Sequence, residues 1–386
     1  MARILALFPQ AVLLALVGYT LFTSVAGWRT PAPAPRGDRR RRLVVVIPAH
    51  DEEAVVASLV GDLRSGETAP DGIWVVADRC TDATAAAASA AGASVLERRT
   101  GGGGKGAALA WFLEERPLPS ESILVVLDAD NRVPPDLLGR ISDEVDRGAA
   151  AVQAYLDVTR PDGSWVALAS ALSYWASNRM VQLSRHNLGW TVDLGGTGMA
   201  FTTEALEAAG GFADSLVEDQ DLGVRLALAG VDVAWMHDVR VRDEKPTTAT
   251  VAVRQRARWA AGRRQVARRH FFPLLRAGLA RRRWAHIDHA VRLIQPGRAF
   301  TALLTALLAI VSAVVGGDAL LGWPVWAVAA AAQFLFPIPF LLRERVPWRW
   351  VIRYPLLAGL AILWVPVQVA SRRVTGWRRT PHRGDA

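Results

Sequence analysis

The stretch ILVVLDADN, residues 123–131, decides how the rest of the chain is read. Five consecutive apolar residues, Ile123 to Leu127, have the pattern of a strand buried on both faces. The strand runs straight into Asp128-Ala129-Asp130. In an open α/β sheet, ligands bind outside the carboxyl ends of the strands. Two carboxylates there suit a hard cation such as Mg²⁺ or Mn²⁺, which takes oxygen ligands and bridges carboxylates to phosphates. Read alone, the same residues are more often a solvated turn, so their neighbours decide.

Working outward, residues 43–47 are a second apolar strand that ends at Pro48. Asp51-Glu52-Glu53 then opens an expected helix over residues 51–65, where acidic side chains suit the N-terminus. Residues 73–77 form a third strand ending at Asp78, and Thr81 or Asp82 can cap the Ala-rich helix that follows. Residues 93–96 are a short fourth strand. The glycine run before Lys105 and Gly106 resembles a P-loop but fails the pattern. No Ser or Thr follows Lys105, and Arg99 stands where the first Gly belongs. It reads as a flexible loop presenting one lysine, before a helix over residues 107–115.

This alternation predicts a mostly parallel sheet with helices on both faces. It brings residues 51–53, Asp78 and Asp128–Asp130 to one rim of that sheet. Residues 134–147 are a further helix and 149–155 a strand. Residues 164–185 are a long helix with Trp165, Leu168, Leu172, Trp175, Met180 and Leu183 at roughly helical spacing. Core packing and a membrane-interface position both fit that pattern. Gly195-Gly196-Thr197-Gly198 allows close backbone approach to a ligand or a tight turn. Glu218-Asp219 enters a helix, and residues 231–236 are a last strand.

The 386 residues are 51% hydrophobic yet carry a net charge of +9. That pairing suggests a basic soluble part joined to membrane segments. Four uncharged runs, residues 4–28, 299–317, 319–342 and 354–371, are each about long enough to span a bilayer as a helix. Ser24-Val25-Ala26 has the small-x-small form of a cleavage site. The run is long for a signal peptide, however, and only Arg3 precedes it, so it reads as an uncleaved anchor. The arginines at 36 and 39–42 follow it, which places the N-terminus outside and residues 43–270 in the cytoplasm.

Residues 29–42 are a basic linker. Residues 271–298 are a basic interfacial segment, 299–371 hold about three spans, and 372–386 are a basic tail. Three C-terminal spans leave Arg372, Arg373, Arg378, Arg379 and Arg383 outside, against the positive-inside rule. Either the last run is re-entrant or the tail is an exception. So few spans would form a channel as a homo-oligomer.

The single cysteine, Cys80, excludes an intrachain disulfide. His50, His237 and His270 lack metal-ligand spacing. Residues 245–287 hold eleven arginines and no acid. Beside a membrane run this basic stretch reads as lipid contact rather than nucleic-acid binding. Within it, Gln255-Arg256-Ala257-Arg258-Trp259 offers a guanidinium suited to diphosphate and a flat face for a sugar ring.

In order, VVVIPAHDEE, VVADRCTDAT, VVLDADN, GGTGMAF, VEDQDLGVRL and QRARW resemble the motifs of family 2 glycosyltransferases. The likeness is nearest to membrane-embedded synthases of cellulose, chitin, hyaluronan and poly-N-acetylglucosamine. It covers about residues 43–264. It implies a GT-A (nucleotide-diphospho-sugar transferase) fold plus transmembrane helices, a UDP-sugar donor, and an inverting, metal-dependent transfer at the membrane. The acceptor it implies is a growing glycan. Single addition to a lipid-linked acceptor is the other reading, and a non-catalytic nucleotide-binding membrane protein is a third.

By the same resemblance Pro48, His50 and Glu52 flank the uridine, Asp78 meets uracil or ribose, and Lys105 lies near the nucleotide. Asp130 ligates the metal, and Asp128 reaches metal or nucleotide. Asp219 is the general base, with Glu218, Gly196 and Thr197 on the acceptor side. Gln255, Arg258 and Trp259 cradle diphosphate and acceptor. Val217 stands where many relatives have Thr.

Overall fold

In the computed structural model, which describes residues 2–38, 41–315, 321–374 and 376, the ILVV run is the middle strand of a seven-stranded sheet. The strands are β1 (Arg42–Ala49), β2 (Gly72–Asp78), β3 (Ser94–Arg98), β4 (Ser122–Val126), β5 (Ala151–Val158), β6 (Met199–Thr202) and β7 (Val233–Asp243). Their order is β3-β2-β1-β4-β6-β5-β7. Only β6 runs antiparallel to its neighbours. The helices of the catalytic part are α2 (Val56–Arg64), α3 (Thr84–Ala90), α4 (Lys105–Glu115), α5 (Leu137–Asp146), α6 (Trp165–Ser177), α7 (Ser184–Asn187), α8 (Thr203–Ala208) and α9 (Glu218–Ala229). They follow α1 (Ala2–Ser24) and precede α10 (Ala249–Arg281) and α11 (Trp284–Ile294).

The two-residue period of a strand divides the sheet between two cores. Val44, Val46, Leu124 and Val126 pack on α4 and α6 through Leu109, Phe112, Leu168 and Leu172. Val45, Ile47, Ile123 and Val125 face α2 and α5 through Leu59, Leu63, Leu137 and Ile141. Helices therefore cover both faces, as the alternation of elements predicts.

Several boundaries differ from expectation. β7 extends past Met236 to Asp243, because its burial alternates along HDVRVRD. An edge strand with one wet face shows no continuous apolar run. The expected helix over residues 164–185 breaks into α6, a π-helical turn (Asn178–Leu183) and α7. Its residues Val166 to Leu172 are buried between the sheet and the C-terminal helices, which decides for core packing. The acidic trio at 51–53 precedes α2 rather than opening it. It ties two loops together instead: Thr81 N donates to Asp51 at 2.6 Å and Ala83 N to Glu53 at 2.8 Å.

Among the described residues, four helical stretches are long and apolar enough to cross a membrane: Leu7–Trp28, Arg298–Val315, Trp323–Arg343 and Trp348–Ser371. They contain α1, then α12 (Arg298–Val315), α13 (Trp323–Leu335), α14 (Pro337–Arg343), α15 (Trp348–Val351), α16 (Leu357–Ile362) and α17 (Trp364–Ser371). The last stretch is interrupted by a 3-10 turn at Tyr354–Leu356. Pro355 lacks the N–H that a continuous helix needs there. Arg372 and Arg373 are exposed, while Arg378, Arg379 and Arg383 of the basic tail lie outside the described residues.

A buried ion cluster joins these helices to the sheet. Glu344, next to α14, accepts from Arg179 at 2.6 Å and Arg240 at 2.8 Å, and His237 lies 3.2 Å away. Burial opposes its charge, but His237 and Arg179 together hold the Glu344 carboxyl down to about 2.

Candidate active site

Parallel topology delivers the ends of β1, β2, β4, β5 and β7 to a single rim. The antiparallel β6 begins there too, since Met199 is in register with Val126. The residues before β6 thus meet the residues after β4. A cavity of about 410 Å³ occupies this rim. Its lining includes Pro48, His50, Glu52 and Asp78 from the first two strand ends, and Lys105, Asp128 and Asp130 beyond them. Gly196, Thr197, Glu218 and Asp219 close one side, and Gln255, Arg258 and Trp259 of α10 close another. Every site residue named from the sequence lines this one cavity.

The DADN turn is knit to the glycine loop. Asp128 N donates to Thr197 Oγ1 at 2.9 Å, and Thr197 Oγ1 in turn bonds Asn131 Oδ1. Asn131 N returns to Asp128 O at 3.0 Å. Gln153 holds the other side of the loop, donating to Thr197 O at 2.9 Å and accepting from Gly195 N at 2.8 Å. Gly196 adopts φ +85°, and a Cβ on it would stand 3.5 Å from Asp219 Oδ2. The Asp219 carboxylate therefore lies over a residue with no side chain.

Lys105 is the central cation. Its Nζ bonds Asp128, donates to Gly196 O at 2.5 Å and lies 4.0 Å from Glu218. Burial works against the ammonium, but Asp128 and Glu218 hold it above its ordinary value. Glu218 is 6% exposed and packs beneath Gly106, where a Cβ would come within 2.8 Å of its own. Burial, then the neighbouring Asp219 charge, pushes Glu218 up to about 7. Burial also raises Asp219, against the pull of Lys105 and Arg258. Arg258 is anchored by Leu216 O at 3.3 Å. A partly accessible carboxylate with a raised pKa is suited to accepting a proton near neutral pH.

The donor set also fits a hard divalent ion. Asp128 and Asp130 offer only oxygen at a strand end, with Asp243 and Glu244 on the same lining. Asp128 already contacts Lys105, and Asp130 accepts from Asn131 at 3.3 Å. Asp51, Cys80 and Asp82 also lie close together, away from this cavity's lining.

Sequence reasoning missed how Asp78 is held. Arg79 donates to it twice, at 3.0 and 2.8 Å, and Arg98 once, at 2.8 Å. The same guanidinium groups reach Gly103 O at 2.9 Å and Gly102 O at 2.7 Å. Asp78 and two arginines thereby clamp the glycine loop that carries Lys105. His50 Nδ1 lies 2.6 Å from Asp78 O. Tyr174, Asp243 and Lys245 were missed as well. Lys245 Nζ donates to Asp243 at 2.6 Å and stands 3.6 Å over the Tyr174 ring. A strand end followed by acid and lysine was the available signal, hidden because β7 outlasts its apolar run.

The profile described as Glycosyltransferase like family 2 matches residues 40–262. The beta-monoglucosyldiacylglycerol synthase of Nostoc sp. is 30% identical over 240 residues, covering 56% of this chain and 48% of that protein. Its counterpart from Synechocystis sp. is 31% identical over 236 residues, covering 57% and 47%. The chain thus spans about half the length of these curated relatives. A mannosyltransferase from Pyrobaculum calidifontis, solved in complex with GDP-Man and Mn²⁺, aligns with TM-score 0.59 at 21% identity. That alignment covers 95% of this chain and 99% of the other and shows a shared fold.

Proposed function

Because the chain belongs to glycosyltransferase-like family 2, we propose that it moves a hexosyl unit from a nucleoside-diphosphate sugar to a membrane-borne acceptor, inverting the anomeric centre. The observation that carries this is the convergence of Asp128, Asp130, Lys105, Asp219 and Arg258 on one cavity.

In the reaction the acceptor O–H attacks the anomeric carbon, the bond to the diphosphate oxygen breaks, and the proton passes to Asp219. Arg258 and Lys105 meet the negative charge that develops on the leaving diphosphate. Asp130, with Asp128, would hold Mg²⁺ or Mn²⁺, which as a Lewis acid stabilises the same diphosphate. No covalent nucleophile is required.

The cavity that adjoins this one is lined by the apolar C-terminal helices, which supports action at a membrane, and the arginines at 36 and 39–42 favour a cytoplasmic catalytic part. Relatives named for synthesis of a glucosyl diacylglycerol favour single addition to a lipid. QRARW, by resemblance, favours extension of a glycan. Product length on purified enzyme separates the two, since only extension builds a ladder.

Asp219→Asn tests the base assignment. Transfer should fall by about 10²–10⁴-fold, while nucleotide binding measured calorimetrically stays within a factor of about two. Retained turnover would remove Asp219 from the role.

A further inference from the structure

Beside the donor cavity lies a second one of about 780 Å³. The two share Tyr174, Leu194, Gly195, Gln220 and Arg263 in their walls, so they adjoin one residue from Asp219. The far end of the second cavity is mostly apolar, and the Gln333 amide there is bonded to Thr301 and Thr305. Ala302, Leu303 and Ala306 of α12 face it, with Ala330, Ala331 and Phe334 of α13. Such walls give sugar hydroxyls nothing to bond and suit a hydrocarbon chain.

The near end carries an excess of positive charge. Five arginines line the cavity against one carboxylate, Asp193. Arg292 is ion-paired with that Asp193, and Arg185 is neutralised by Asp288 behind it at 3.1 Å. Arg256, Arg263 and Arg298 form no ion pair among the described residues. Arg256 donates only to Ser170 Oγ, at 3.4 Å, and Arg298 to Met180 Sδ, at 3.3 Å. Arg256 and Arg263 are two helical turns apart on one face of α10. Gln255, Arg258 and Trp259 line the donor cavity and not this one. Arg256 and Arg298 are half-buried guanidinium groups without a counter-charge, which are costly to desolvate, so an anion belongs opposite them; Arg263 is exposed and acts on Asp193 from the same wall.

Building on the proposed transfer reaction, we infer that this cavity takes the acceptor as an anionic phospholipid. Its chains lie between α12 and α13, its phosphate sits on Arg256, Arg263 and Arg298, and a headgroup hydroxyl reaches Asp219. The phosphate is held and not glycosylated. The hydroxyl oxygen forms the new glycosidic bond, its proton goes to Asp219, and the nucleoside diphosphate leaves. This reading departs from a neutral diacylglycerol acceptor.

The test measures lipid binding to the full chain in non-ionic detergent by native mass spectrometry, without donor. Dioleoylphosphatidylglycerol should bind at least about tenfold more tightly than dioleoylglycerol, which has the same chains and no phosphate. Arg256→Gln and Arg298→Gln should each weaken phosphatidylglycerol by about tenfold and leave dioleoylglycerol unchanged, while Arg256→Lys retains most of the binding. Equal binding of the two lipids would overturn the inference. So would displacement of phosphatidylglycerol by inorganic phosphate at comparable concentration, because the apolar walls would then contribute nothing. Release of nucleoside diphosphate from the sugar nucleotide in the presence of lipid and glycan acceptors, followed in parallel, reports on the transfer reaction. Its absence with every acceptor, together with selective lipid binding, would refute the proposed reaction and leave the lipid site standing.

Discussion

Replacing Lys105 with Met removes the cation on which the acidic cluster depends and keeps the apolar stem. Its Nζ lies 4.0 Å from Glu218, contacts Asp128 and also depresses Asp219. At that separation and an effective dielectric near 20, one charge pair is worth about 4 kcal/mol. This is a ceiling of about three pKa units at 1.36 kcal/mol each. Asp219 forms no ion pair with Lys105 within 4.0 Å and keeps Arg258 beside it, so it rises further on loss of Lys105 but stays below that ceiling.

The sign follows from chemistry. Asp219 must be ionised to accept the acceptor's proton, and burial already raises its pKa. Losing Lys105 raises it further, so in the proposed reaction the acid limb of kcat/KM against pH moves upward, by less than the ceiling of about three pH units. Nucleotide release from the sugar nucleotide, followed across the pH range for wild type and Lys105→Met, reads that limb. Its position is informative even if weaker diphosphate binding lowers its height. An acid limb at the same pH in both proteins, with the variant folded by thermal melting, would refute the electrostatic role of Lys105.

Glu344→Gln breaks the buried cluster that ties the C-terminal helices to β7. Leaving Arg179 without a carboxylate and Arg240 with Asp157 alone should cost about 3–5 kcal/mol in denaturant or thermal unfolding, and a loss below about 1 kcal/mol would contradict the coupling. Because the folded-state value is depressed to about 2, this stabilisation is complete above the ordinary carboxylate range and fades only as pH falls toward that value. Wild-type stability measured from pH 7 to 5 should therefore not lose it. Arg98→Met removes one of the three guanidinium bonds to Asp78 and frees the Gly102 carbonyl. The loop carrying Lys105 loosens, so KM for the sugar nucleotide should rise about tenfold while the acceptor's KM holds, and steady-state kinetics with each substrate varied checks this.

Much of the fold was legible because buried parallel strands announce themselves. β1, β2 and β4 are near-continuous apolar runs, and an acid ends or closely follows each at the rim. β7 was legible only in its first half, since its wet face interleaves Arg and Asp with Val. The acidic residues at 51–53 carried an ambiguous signal. Carboxylates before a helix look like caps, and only the neighbouring loop showed that Asp51 and Glu53 serve the start of α3. The same limit hid Arg79 and Arg98, which read as surface charges until folding brought Asp78 and the glycine loop to them.

The sequence alone determined the alternating α/β architecture, the acidic rim, the order of the motifs and the four apolar runs. Each is written in local patterns of polarity and spacing. The tertiary structure decided what those patterns do together. It set Glu218 on Lys105 and Asp219 over Gly196, residues separated by more than a hundred or by about twenty positions in the chain. It also turned one stretch of α10 into two walls, with Arg258 toward the diphosphate side and Arg256 toward the apolar cavity. Helical periodicity assigns residues to faces, but which partner covers each face is fixed only by packing against distant segments.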